Sequence, residues 1–223
     1  MAAKSRQDNR LLRFVLHYLI QHIFIVQVIL DCPLPDGTYI VSSNHMSWVD
    51  PILLTLVWPT KTTMMYIGPR RVVTNTGWKR WFIGSMPEVV LTPQRSGWLG
   101  KEAYQSVMQG FDAGRCLLIF PEGDAYPNES SVMPYANGVA HFALVRGLPV
   151  IPVGICGTAD LYYRKKLSVR IGTPINVPCS PHPNKKLVHE QLAEIREATR
   201  MLIENYQDPV VASKPMHWLT HLM

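Results

Sequence analysis

The sequence predicts an α/β fold: a largely parallel or mixed central sheet covered by helices on both faces, with an N-terminal amphipathic helix. Three observations carry that expectation. Short apolar runs alternate with longer stretches of helical period between residues 38 and 171, the order that parallel strands joined by crossover helices require. A hydrophobic fraction of 47% against 17% charged residues, in 223 residues, is enough for one sizeable core. Residues 11–30 are mostly apolar but are interrupted by polar groups at helical spacing.

Taken in order, the first element is that N-terminal stretch. Arg10, Arg13, His17, Gln21 and, loosely, Gln27 recur every three to four residues, and Lys4 and Arg6 precede them. Such a helix suits the membrane interface, held to anionic lipid by its basic flank, better than a full span. A helix packed on the core is the competing reading. A signal peptide fits less well, because no small-residue cleavage site precedes Pro33. The expected organisation is therefore a membrane-associating helix over residues 1–30 and a single domain over residues 31–223.

Strands are expected at 38–43, 63–67, 88–92, 116–120, 149–155 and 167–171, where apolar and β-branched runs are bounded by turn residues. Helices are expected at 51–58, 75–84, 99–113 and 137–146 between them, and at 185–205, where Leu187, Val188, Leu192, Ile195, Ala198, Leu202 and Ile203 mark one face. Residues 216–223 are unusually apolar for a tail and suit either docking on the domain or touching a membrane. No internal repeat or low-complexity segment occurs.

The richest stretch is Asn44-His45-Met46-Ser47-Trp48-Val49-Asp50, which joins the strand ending at Ser43 to the apolar helix beginning near Pro51. In a regular helix five residues advance about 500°, which would point His45 and Asp50 about 140° apart. The two can meet only if His45 precedes the helix. Ser47 with Asp50 fits a capping box, and Asp50-Pro51 fits an N-cap followed by proline; either start leaves His45 outside. An aspartate there can accept backbone amides with one oxygen and an imidazole nitrogen with the other, leaving the second nitrogen as a general base. Taken alone, the pair also fits a plain cap beside a loop histidine.

Two further segments stand at strand ends. Phe120-Pro121-Glu122-Gly123 follows Cys116-Leu117-Leu118-Ile119, and ligands of open α/β sheets bind at the carboxyl ends of strands. Pro149 and Pro152 bracket a short apolar strand, as an edge or end element would require.

Together these segments resemble the glycerolipid acyltransferases of the lysophosphatidate (1-acylglycerol-3-phosphate) acyltransferase type. The family's N-H-x-S-x-x-D block is matched by Asn44, His45, Ser47 and Asp50, its F-P-E-G block by Phe120 to Gly123, and its proline-bracketed strand by Pro149 to Val153. Gly138 matches the glycine before that strand. The second block is matched loosely, with Arg95 after Gly84 as its arginine. The resemblance covers residues 38–175 and implies an O-acyltransferase that moves a fatty acyl group from acyl-CoA or acyl carrier protein to a hydroxyl of a lysophospholipid or related lipid, with no covalent enzyme intermediate. His45 would be the general base oriented by Asp50. Glu122, Gly123 and Arg95 would bind the acceptor, with Asn44, Ser47, Pro121 and Pro152 in support. Amides at the helix start after Ser47, or around Pro152 to Gly154, would serve the oxyanion. No cofactor or metal is implied beyond the thioester co-substrate.

The departures point to acceptor choice. Family members that take phosphate-bearing acceptors usually continue F-P-E-G with Thr-Arg and carry a lysine before the later glycine; this chain has Asp124-Ala125 and Tyr135-Ala136-Asn137. Missing cations weaken binding of a dianion, so an aminolipid or glycolipid acceptor is the alternative, unless Arg70, Arg71, Lys79, Arg80 or Arg95 supplies the charge. The formal charge of +6 and pI of 9.2 favour an anionic membrane surface, coenzyme A or an acidic carrier protein as partners. Nucleic acid is not expected, since no binding motif accompanies the charge. The expected location is peripheral, on the cytoplasmic side of a membrane. Four scattered cysteines without C-x-x-C spacing suit buried, reduced thiols. The rivals are a thioesterase, without a G-x-S-x-G elbow to support it, and a non-catalytic lipid-binding relative. Asn128-Glu129-Ser130 fits a sequon and is assigned no role.

Overall fold

The computed structural model describes residues 10–60, 62–69, 88–92 and 99–221. Seven strands form one mixed sheet in the order β1-β7-β6-β2-β5-β3-β4. They are β1 (Ile25–Leu30), β2 (Ile40–Ser43), β3 (Met64–Pro69), β4 (Glu88–Thr92), β5 (Cys116–Ile119), β6 (Val150–Cys156) and β7 (Lys166–Ile171). Only the β6–β7 pairing is antiparallel; the other five are parallel.

The alternation of side chains along the central strands builds two core layers, one on each face. Val41, Leu118, Ile151 and Val153 point into the layer covered by α1 (Arg10–Ile23), α2 (Asp50–Val57) and a C-terminal 3₁₀ turn (His217–His221). Ile40, Leu117, Ile119 and Val150 point into the other, covered by α3 (Lys101–Asp112), α4 (Gly138–Arg146) and α5 (Lys185–Ile203). The α/β architecture with helices on both faces is therefore as expected. The helix expected at 75–84 lies outside the described residues.

Two local expectations are overturned. Helix does not continue through residue 30: α1 stops at Ile23, and Ile25–Leu30 is a strand parallel to β7, in register Ile25 with Lys166 through Leu30 with Ile171. The β-branched residues Ile25, Val26, Val28 and Ile29 favour a pleated surface, and the β7 ladder takes up their amides. Nor does Pro152 sit on an edge or end strand, because β6 lies between β7 and β2. Its missing amide is absorbed by an irregularity: Val150 pairs with Ile175 and Val153 with Ile171, so the returning chain carries one extra residue between those points. The Gly172 amide donates to the Pro152 carbonyl there.

Helix α5 crosses β6 at Gly154, where an added Cβ would stand 2.7 Å from Leu202 Cβ and 2.9 Å from Ile203 Cγ2. That close approach seats the longest helix on the sheet. No helix among the described residues is long and apolar enough to cross a membrane.

Candidate active site

The site begins where β2 ends. Asn44 is buried and treats Ile155 as a strand neighbour, its Nδ2 donating to the Ile155 carbonyl at 2.9 Å and its Oδ1 accepting the Ile155 amide at 2.8 Å. This fixes the start of the loop to β6. His45 follows, outside the helix, and its Nδ1 lies 2.9 Å from Asp50 Oδ2. Asp50 is fully buried in the first turn of α2, behind Val49 as N-cap and with Pro51 next to it.

The two carboxylate oxygens of Asp50 are not shared out as the sequence suggested. Oδ2 alone accepts the Met46 amide at 2.7 Å, the Ser47 amide at 2.8 Å and the imidazole, while Oδ1 is buried without a hydrogen-bond partner. The cause is the tight turn over 47–50, closed by the Asp50 amide on the Ser47 carbonyl, which aims both loop amides at one oxygen. It also places Ser47, the expected cap, two residues before the N-cap Val49. With an acceptor carboxylate at Nδ1, the proton sits there and Nε2 is the basic nitrogen. The His45 side chain is 20% exposed, so the ring is not sealed from solvent.

The second strand end closes over the first. Phe120 stacks on the His45 ring at a centroid distance of 4.4 Å. The turn at Gly123 has a φ of +82°, which favours glycine, and the Gly123 amide donates to the Phe120 carbonyl. Glu122 bridges two segments, accepting the His45 amide at Oε2 and the Met133 amide at Oε1, both at 3.4 Å. Burial pushes its carboxyl up to about 7; the two amides pull against that rise, and nearby Asp50 adds to it. The loop returns the contact at Tyr126, whose amide donates to the His45 carbonyl at 2.8 Å. Pro121 accepts the Ala136 amide at 2.7 Å.

Farther along the loop, Glu129 accepts the Gly157 and Ala159 amides at 2.8 and 3.0 Å, pinning it to the turn after β6. The sequence reading passed over this residue. Backbone donors such as Tyr126 and Met133 carry no side-chain signal at all. Trp48 was also missed: its Nε1 donates to the Leu219 carbonyl at 2.9 Å, tying the loop to the tail.

The structure thus gathers His45, Asp50, Asn44, Ser47, Pro121, Glu122 and Gly123 around two adjacent strand ends. Pro152 is placed in the sheet beside Ser42. Arg95, Arg70, Arg71, Lys79 and Arg80 lie outside the described residues. Of the expected oxyanion donors, Val153 and Gly154 belong to the β6–β7 ladder, and past Ser47 the Asp50 amide is turned back onto the Ser47 carbonyl.

Comparison with known proteins follows the same lines. A family model described as Acyltransferase matches residues 4–156. A 1-acyl-sn-glycerol-3-phosphate acyltransferase of Saccharomyces cerevisiae is 25% identical over 180 residues, which is 78% of this chain and 57% of that protein. One from Streptococcus pneumoniae is 26% identical over 147 residues, 65% of this chain and 53% of that protein. The chain therefore spans little more than half the length of these relatives. The crystal structure of the 1-acyl-sn-glycerophosphate (LPA) acyltransferase PlsC from Thermotoga maritima superposes with a TM-score of 0.60 at 18% identity, covering 92% of this chain and 86% of that one.

Proposed function

The chain belongs to the acyltransferase family, and from that premise we propose that it transfers a fatty acyl group from a thioester, acyl-CoA or acyl carrier protein, to a hydroxyl of a lysophospholipid or related lipid. The observation that carries this reading is the His45–Asp50 contact at 2.9 Å in front of Glu122. The acceptor hydroxyl gives its proton to His45 Nε2 as its oxygen attacks the thioester carbonyl carbon. The tetrahedral intermediate then expels the thiolate, which takes that proton back from the imidazolium. Asp50 holds the ring and offsets its positive charge. A positioned base of this kind contributes a factor of about 10² to 10⁴, with the rest coming from alignment of the two substrates. The thioester is a co-substrate, and no further cofactor enters the scheme.

The curated relatives are named for a phosphate-bearing acceptor, and lysophosphatidate is the first reading here. An uncharged or zwitterionic acceptor, such as an aminolipid or glycolipid, is the second. It is favoured by the loop that covers His45: residues 120–135 include Glu122, Asp124 and Glu129 but no lysine or arginine. Contact with the membrane is peripheral. It is supported by α1, which buries Ile20 while leaving Phe14 69% and Tyr18 60% exposed.

The test is thiol release from palmitoyl-CoA across a panel of lysolipids. His45→Ala should lower turnover about 10²-fold or more while the protein stays folded by circular dichroism. Turnover with lysophosphatidate supports the first acceptor reading and turnover only with the others supports the second. In the second case Asp124→Thr with Ala125→Arg should raise use of the phosphate acceptor. Full activity in a folded His45→Ala protein would remove His45 as the base, and free fatty acid released without any acceptor would indicate a thioesterase.

A further inference from the structure

The C-terminal tail has two faces. Its inner face is bonded into the domain beside the His45 loop: Leu219 is 6% exposed, its carbonyl accepts Trp48 Nε1, and the Thr220 hydroxyl accepts the Leu161 amide at 2.8 Å and lies 3.1 Å from the Leu161 carbonyl. The Pro215 carbonyl accepts the Tyr163 amide at 2.7 Å, and Lys214 and His217 both reach Asp160. Its outer face presents Trp218, 58% exposed, with Met216, Val210 and Val211 also exposed. Residues 209–223 contain no aspartate or glutamate and include Lys214, His217 and His221.

The tail belongs to the same core layer as α1, since Leu219, Ile20 and Phe24 pack with Met46, Val49 and Ile52. Two segments from opposite ends of the sequence therefore expose apolar side chains on the side of the sheet that carries the His45 loop. An indole beside exposed methionine and valine side chains suits the boundary between headgroups and acyl chains, and the chain's formal charge of +6 favours anionic lipid.

We propose that residues 209–221 form a membrane contact, that its partner is an anionic bilayer, and that docking there steadies the His45 loop through the Trp48–Leu219 hydrogen bond. This rests on the acyl-transfer reading: the acceptor lipid reaches His45 from a bilayer, so the surface around the site is the surface that meets it. Trp48 acts here as a positioning residue. Its ring fills space on the loop three residues from His45, and its N–H reports to that loop where the tail lies.

The full chain is compared with two variants by sedimentation with vesicles of phosphatidylglycerol and phosphatidylcholine, and by turnover with and without those vesicles. Trp218→Glu should lower the vesicle-bound fraction about fivefold at the lipid concentration that half-binds the parent protein, and leave turnover on a dispersed short-chain acceptor unchanged. Trp48→Phe keeps the ring and removes the donor. It should bind vesicles as the parent does, yet lose the rise in kcat that vesicles give, with KM for the thioester unmoved. Parent-like sedimentation of Trp218→Glu would overturn the membrane contact, as would a change in its self-association in place of vesicle binding. Retained stimulation in Trp48→Phe would overturn the coupling. A parent protein that binds vesicles but transfers no acyl group to any acceptor would fail the acyl-transfer reading, while the Trp218→Glu comparison would still test the surface.

Discussion

Glu122 is the residue at which structure and protonation meet. Its carboxylate accepts amides from the His45 loop and from Met133, and burial raises its pKa to about 7 from the ordinary 4.5. A carboxyl whose pKa is higher in the folded state than in the unfolded chain binds more protons when folded throughout that interval. Its contribution to stability is therefore complete below about 4.5 and is lost as pH rises through about 7. Glu122→Gln should remove this slope: measured from pH 4 to 8, the parent Tm should fall relative to the variant's, and parallel curves would contradict the assignment. The pairing of His45 with Asp50 was legible in the sequence because a histidine before a helix and an aspartate at its start can meet in few ways. Which oxygen does the holding was not, since it depends on the turn over 47–50, where Met46 and Ser47 aim their amides at Oδ2.

At the scale of elements, the most demanding junction is that of α5 with β6. Gly154 lets the helix backbone approach, and Gly154→Ala would put a methyl 2.7 Å from Leu202 Cβ and 2.9 Å from Ile203 Cγ2. Overpacking of this kind costs about 1–3 kcal/mol, which thermal unfolding should show as a lower Tm. An unchanged Tm would mean that α5 shifts freely. Apolar runs between turn residues located β2, β5 and β6 in the sequence, because strands buried on both faces read that way. The same rule missed β1. Its polar residue Gln27 continued the helical spacing of α1, and only pairing with β7, distant in sequence, makes residues 25–30 a strand. Pro152 was misplaced to an edge for a related reason: the extra residue between Ile171 and Ile175 that accommodates it is visible only once β6 and the chain after β7 are side by side.

The whole molecule carries a formal charge of +6, and its exposed apolar groups on α1 and the tail lie on one side of the sheet. Attraction of this charge to anionic lipid is screened over a Debye length of about 8 Å at physiological salt. Binding to phosphatidylglycerol vesicles should therefore weaken as salt is raised, and binding that does not respond to salt would leave the apolar side chains as the sole contact. Fold class was legible from the order of elements and the site from two short segments at strand ends, while the third segment proved to lie inside the sheet. The tail's double attachment was not, because its partner Trp48 is far away in the chain. The β1 pairing bears on how the protein is made. Ile25 is joined to Lys166 across about 140 residues of chain, and synthesis at about 5–20 residues per second separates their emergence by roughly 7 to 28 s. Through that interval β1 lacks the strand that pairs with it, so its ladder forms only after residues 166–171 have been made.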